Sequence, residues 1–191
     1  MEIRRKAAIS DSVYVLKIQL KRVSPRIWRR IEVPGDITLS KLHRVVQIVM
    51  GWENAHLHQF TVGKKSYGPI DPDYASEMGD ERKIKLCEAV PREKSKFQYE
   101  YDFGDSWEHE VLVEKKVPAI GARRPAACLD GRRACPPEDV GGAEGYEVFL
   151  EALADPGHPE HDDFLEWVGE QSFDPEAFDV DAVNRKLKRL R

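Results

Sequence analysis

Aromatic, carboxylate, imidazole and thiol groups crowd into two stretches of the chain: Tyr99-Glu-Tyr-Asp-Phe-Gly-Asp-Ser-Trp-Glu-His109, and Cys128 followed by Cys135-Pro-Pro-Glu-Asp139. A carboxylate beside an imidazole can ligate a metal or pass a proton, and a thiolate can ligate. Alternation of Tyr99, Tyr101 and Phe103 against Glu100 and Asp102 reads as a strand, Gly104-Asp105-Ser106 as a turn, and Trp107 to Val113 as a second strand. Such a hairpin holds Asp102, Asp105 and His109 close together. The loop from Cys128 to Asp139 must fold back from the strand ending near Val117, so Asp105 and His109 are expected to approach it. In that arrangement Asp105 orients or ligates, His109 ligates or carries the proton, and Cys135 ligates as thiolate. Glu138 and Asp139 have a plainer use as caps for a helix that starts near Gly145.

Two histidines add to this set. His56 and His58 stand two apart on an expected strand, hence on one face, and their neutral imidazoles could hold one ion. Cys128 and Cys135 flank a spacing wider than that of zinc knuckles. Two cysteines with His109 or His58 suit zinc, whereas Asp102, Asp105 and histidines suit a harder or catalytic ion. The competing expectation is structural: a small buried Cys135, and histidines that satisfy turns and strand ends.

Charge is segregated along the chain. The net charge is −4, yet residues 136–184 contain fifteen Asp and Glu and no Lys or Arg. A basic body is thus joined to an acidic segment, and neutralisation across an internal interface is the expectation. A nucleic-acid surface would need Lys21, Arg22, Arg26, Arg29 and Arg30 clustered and free, and the sequence pI of 5.9 speaks against a dedicated nucleic-acid domain. A nucleic-acid or a protein partner is compatible with this composition; a membrane is not, because no run reaches the roughly 20 apolar residues of a spanning helix. The first residues lack the apolar core of a secretory signal and the three cysteines are odd in number, a pattern that reads as cytoplasmic.

These groups must be positioned by a frame. Val13 to Leu20 and Ile27 to Val33 read as a hairpin turning at Ser24-Pro25. Thr38 or Ser40 can cap a helix whose Leu42, Val45, Val46, Val49 and Met50 share a face and which stops at Gly51. His56 to Val62 is a third strand, Tyr67 to Glu81 a long loop, Ile84 to Leu86 a short strand, and Phe97 to Val117 a closing hairpin. The expected fold is α+β: a mixed, mostly antiparallel sheet with a strand-strand-helix-strand start in the manner of a β-grasp. Residues 1–191 read as one domain, with a sheet-rich body at 12–118 and a loop and acidic helical segment at 119–191. Its helices, Tyr146 to Ala154, Pro159 to Gly169 and Val180 to Leu190, have apolar faces too small for a separate core and are expected to pack on the sheet. Trp28, Trp107 and Trp167 read as core anchors. Gly104, Gly141 and Gly142 read as sites of positive φ, since no phosphate-loop Lys-Ser/Thr follows them.

Five motifs together carry a resemblance: Pro25-Arg-Ile-Trp-Arg-Arg-Ile-Glu-Val-Pro34, Leu39-Ser-Lys-Leu-His43, His56-Leu-His-Gln-Phe60, Tyr101-Asp-Phe-Gly-Asp-Ser-Trp-Glu-His109 and Cys135-Pro-Pro-Glu-Asp-Val-Gly-Gly142. The chain resembles the Ri-plasmid open-reading-frame-three-like family, also labelled insertion-element passenger TnpR-like proteins, over roughly 14–167. The resemblance implies a fold and carriage on mobile elements, without a settled activity. A serine recombinase would need a nucleophilic serine among arginines, which Arg22-Val-Ser-Pro-Arg26 mimics, and a basic helix-turn-helix, which the acidic C-terminal third does not supply. Ser24 therefore reads as a turn residue. A mobile-element-associated binding or accessory module is the leading expectation. The alternative is a metal-dependent hydrolase working at Asp105, His109 and the Cys128–Asp139 loop.

Overall fold

A computed structural model describes residues 12–70, 77–119, 125–169 and 173–190. Apolar alternation places Leu16, Ile18 and Leu20 of β1 (Ser12–Leu20) and Ile31 and Val33 of β2 (Trp28–Pro34) on one buried face. The two strands pair antiparallel, Val13 opposite Pro34 and Gln19 opposite Trp28, and Ser24 lies in the turn between them. Helix α1 (Leu39–Met50) begins where the Thr38 side chain accepts the Lys41 N–H, and it ends at Gly51 in the left-handed conformation. Its inward face is Leu39, Leu42, Val45, Val46 and Val49, joined by His43 and Gln47.

Strands β3 (His58–Val62) and β4 (Lys65–Gly68) form a second hairpin, and β5 (Gly79–Asp80) runs parallel to β4. The loop expected over Tyr67 to Glu81 is therefore strand at both ends; its middle, 71–76, lies outside the described residues. Ile84 to Leu86 is not a strand. Lys85 makes a single bridge to Thr38 and the chain then turns into the short helix α2 (Leu86–Ala89), which inserts Leu86 and Cys87 under the sheet. The closing hairpin is β6 (Lys96–Tyr101) and β7 (Trp107–Pro118). It sits centrally, with β6 on β3 and β7 on β1, so it fuses the two earlier hairpins into one sheet.

An eighth strand, β8 (Ala127–Arg132), pairs with β2 at the edge, in a stretch read from sequence as loop. Its Cys128, Gly131 and Asp130 give no alternating pattern, and the strand exists because its partners complete it. The Asn184 amide closes the ladder on the far side, accepting the Cys128 N–H and donating to the Cys128 carbonyl, both at 2.8 Å. The sheet order is β5-β4-β3-β6-β7-β1-β2-β8, mostly antiparallel, and with the helices it makes an α+β fold.

The C-terminal helices are α3 (Gly142–Ala154), α4 (His161–Val168) and α5 (Val180–Leu187). Tyr146 and Phe149 of α3 enter the common core, Phe164 of α4 meets Phe149 edge-on, and α5 lies against β8 and α1. Trp107 is a core anchor. Trp28 instead lies on the open sheet face under Lys17 and Arg30, and Trp167 is 48% exposed. Among the described residues no helix is long and apolar enough to cross a membrane.

The open face also corrects the expected charge balance. Lys21 and Arg22 pair with Glu108, and Arg30 pairs bidentately with Glu114 at 2.7 and 3.0 Å. These basic residues are neutralised by their own sheet rather than by the acidic segment. Across the interface, Arg133 pairs with Glu176.

Candidate metal centre

The strand β6 ends at Tyr101, and the next residue, Asp102, adopts a left-handed backbone with φ +57°. Its Oδ1 accepts the Gly104 N–H at 2.9 Å and its carbonyl accepts the Ser106 N–H at 2.7 Å, so one half of the side chain holds the turn. The positive φ expected at Gly104 falls on Asp102 and Ser106 instead. Oδ2 is left facing His56 at 3.7 Å. His56 stands before β3, off the strand, which begins only at His58. From the far side comes the loop after Cys135, where Glu138 Oε2 lies 3.7 Å and Asp139 Oδ1 3.1 Å from His56 Nε2.

His56 Nε2 is shut off from solvent and makes no hydrogen bond, because the Asp139 oxygen lies off its donor direction despite the 3.1 Å separation. Three carboxylates thus face one imidazole nitrogen without a proton shared in good geometry. Ligand atoms around a tetrahedral ion with bonds of about 2.0–2.1 Å stand about 3.3 Å apart, close to the 3.1–3.7 Å between His56 Nε2 and the carboxylate oxygens. His56, Asp102 and Asp139 are the one group of three such ligands among the described residues, their donor atoms lying within 4.8 Å of one another. One imidazole with carboxylates suits zinc, manganese or iron rather than a thiolate-selected ion.

Tyr101 braces this group. Its hydroxyl donates to Glu138 at 3.0 Å and accepts the backbone N–H groups of Ala55 at 3.0 Å and His56 at 3.3 Å. Burial, with the Glu138 charge adding to it, pushes the phenol up to about 12, so it remains a donor. Glu138 also accepts the Glu53 N–H at 2.8 Å. It does not cap α3, whose N-cap is Gly141, with φ +92° and no capping side chain. Asp105 reaches the same loop by another route, its Oδ2 accepting the Gly141 N–H at 3.2 Å.

The remaining sequence candidates are engaged elsewhere. His58 does not share an ion with His56: its Nε2 meets Glu81 at 2.7 Å, and its ring stacks on His43 at 3.4 Å. His43 itself bonds the Tyr99 hydroxyl at 2.8 Å, and burial, then the His58 charge, lowers it to about 4. His109 is fully enclosed in the core, Nδ1 against the Tyr99 carbonyl at 3.2 Å, and burial lowers it to about 4. It does not bond Asp105, which lies in the turn before β7 and holds Gly141 instead. The Cys128 thiol lies 3.5 Å from the Asp130 carbonyl, and the Cys135 thiol is enclosed, its pKa pushed well up by burial. Neither cysteine joins the histidine and carboxylate group. Of the basic candidates, Arg29 is buried, Lys21, Arg22 and Arg30 are ion-paired, and Arg26 is exposed.

His43 was not anticipated as a polar core residue. Its position beside Leu42, three residues before Val46 on the apolar face of α1, is the signal that would have found it.

The comparisons with known proteins agree with the fold. Protein y4hQ of Sinorhizobium fredii, described as uncharacterized, is 42% identical over 180 residues, 94% of this chain and 92% of its own. The crystal structure of MM3350, a protein of unknown function from Methanosarcina mazei Go1, superposes with a TM-score of 0.79 at 39% identity, covering 89% of this chain and 96% of that one. The description of the plasmid pRiA4b ORF-3-like proteins matches residues 12–182, and the chain belongs to that family.

Proposed function

We propose that the protein is a binding module built around a divalent-cation centre formed by His56, Asp102, Glu138 and Asp139. The observation that carries this reading is the sealed His56 Nε2, which makes no hydrogen bond while three carboxylate oxygens stand 3.1–3.7 Å from it. A cation would offset the mutual repulsion of those carboxylates, and the Tyr101 hydroxyl orients one of them in the way that outer-shell groups orient ligands. Bound metal would also clamp the hairpin turn to the 136–141 loop, giving the fold a ligand-dependent element. Metal-dependent hydrolysis is the second reading, favoured by Asp139, whose side chain is 72% exposed and leaves that side open to water or substrate. Carriage on a mobile element fits the plasmid description of the family, and cytoplasmic residence fits the free thiols of Cys87, Cys128 and Cys135.

Calorimetric titration of chelator-treated protein with Mn²⁺ and Zn²⁺ tests the centre. Saturable binding that is lost in His56→Ala and Asp102→Asn, and kept in Cys135→Ala, is the expected result. No binding of either ion, or binding that depends on Cys135, would overturn it.

A further inference from the structure

A cavity of about 670 Å³ opens between the C-terminal end of α1, the loop at 134–138 and helices α4 and α5. Its walls include Trp52, Trp167 and Phe178, and Arg29 lies at its floor. Arg29 is 1% exposed. Its Nε donates to the Val49 carbonyl at 2.7 Å, and Nη1 donates to the carbonyls of Trp28 and Arg132, both at 2.9 Å. Phe178 covers one face of the guanidinium at 3.9 Å. Nη2 makes no hydrogen bond to a described residue, and Arg29 has no carboxylate partner among them. The thiols of Cys135 and Cys128, whose charges act on Arg29, are kept protonated by burial and so offer it no counter-ion.

A buried positive charge without a counter-ion is costly, and carbonyl dipoles compensate it only in part. Of the carboxylates at the cavity rim, Glu138 is engaged with Tyr101, Asp179 is the N-cap of α5 and partner of Arg185, and Glu53 is exposed at the mouth and makes no bond to Arg29. The size of the space matches a drug-sized ligand, and aromatic walls around one charged group are the usual make-up of a small-molecule site.

We infer that this cavity binds a small aromatic carboxylate, its ring between Trp52 and Trp167 and its anionic end at Arg29. The guanidinium offers a charge-assisted hydrogen bond to the carboxylate, and the stacked Phe178 holds it in place. Such a ligand supplies the ion-pair partner that no described residue gives Arg29. The cavity touches the cation centre only through Glu138, and its anchor for the anion is Arg29, so the ligand needs no added metal.

The test titrates metal-free protein with 2-naphthoate and, in parallel, with uncharged 2-naphthylmethanol, read by quenching of tryptophan fluorescence, since Trp52 and Trp167 line the cavity. Saturable quenching by the carboxylate, at least about tenfold tighter than by the alcohol, is expected, a factor that one charge-assisted bond supplies. Ala182→Phe, which fills the cavity from α5 without touching Arg29, should abolish it, and Arg29→Met should remove the preference for the charged probe. If Arg29→Met does not fold, the Ala182→Phe result stands alone. Equal affinity for both probes, binding unchanged in Ala182→Phe, or no saturation at millimolar carboxylate would overturn the proposal.

Discussion

The hydroxyl of Tyr101 donates to Glu138 at 3.0 Å across 37 residues of chain, tying the strand that leads into Asp102 to the loop that carries Asp139. The same oxygen accepts from Ala55 and His56, so one phenol aligns three of the segments that meet at the cation centre. Tyr101→Phe removes that alignment while keeping the ring. Metal affinity measured by calorimetry should fall about 10–100-fold, the usual effect of losing an outer-shell partner. Unchanged affinity would show that Tyr101 serves stability alone.

Gly142 should be intolerant of a side chain. Its φ is +71°, and a Cβ there would stand 2.7 Å from the Asp105 carbonyl oxygen. Gly142→Ala is expected to cost more than the about 1–2 kcal/mol of left-handed strain alone. Gly51→Ala, with φ +107° and open space around it, should cost only the strain. Chemical denaturation of the two variants separates steric clash from backbone preference, and equal losses would contradict the close approach.

Leu42 is 1% exposed on the inward face of α1. Leu42→Ala should lower stability by about 2–5 kcal/mol. A loss below about 1 kcal/mol, the scale of surface substitutions, would mean that α1 does not seat there.

Acid should destabilise the fold through its buried histidines. His109 is lowered from 6.5 to about 4 by burial, so between those pH values the unfolded chain binds a proton that the folded chain refuses. Stability therefore falls as pH drops from about 6.5 to about 4 and levels off for this group below that, by up to about 3 kcal/mol. His109→Phe should flatten that part of the stability profile measured by urea titration. An unchanged slope would assign the acid sensitivity to other groups, His43 first among them.

The paired state of Lys21, Arg22 and Arg30 predicts weak nucleic-acid binding. Fluorescence anisotropy with a random-sequence duplex at low salt should show little association, because Glu108 and Glu114 already occupy these cations. Steeply salt-dependent binding would mean that those pairs open towards phosphate.

What the sequence determined by itself is everything written in a local period. Alternation in Ser12–Leu20, Trp28–Pro34 and Trp107–Pro118, and the apolar face of Leu42, Val45, Val46 and Val49, decide which side of each element is buried, because side-chain direction follows backbone geometry residue by residue. The β1–β2 and β6–β7 hairpins, α1 and the three C-terminal helices were legible for that reason, as were most of the residue types at the centre, whereas the β3–β4 hairpin was not. Their grouping was not. His56 and His58 read as a pair on one strand, yet β3 starts at His58, and the rings part to Asp139 and to Glu81. Asp102 and Asp139 both sit in left-handed backbone at the ends of elements, where no period operates, and they meet only because the β6–β7 hairpin and the 136–141 loop are held by Tyr101, Asp105 and Glu138. Alternation with Ile31 and Val33 already puts Arg29 on the inward face and Arg30 on the open one; tertiary closure alone decided that Arg29 meets the Val49 carbonyl and Arg30 meets Glu114. Both are arginines on one strand; alternation gives each its face, and only the packed helix α1 and the neighbouring strand β7 supply the partners that each guanidinium finds there.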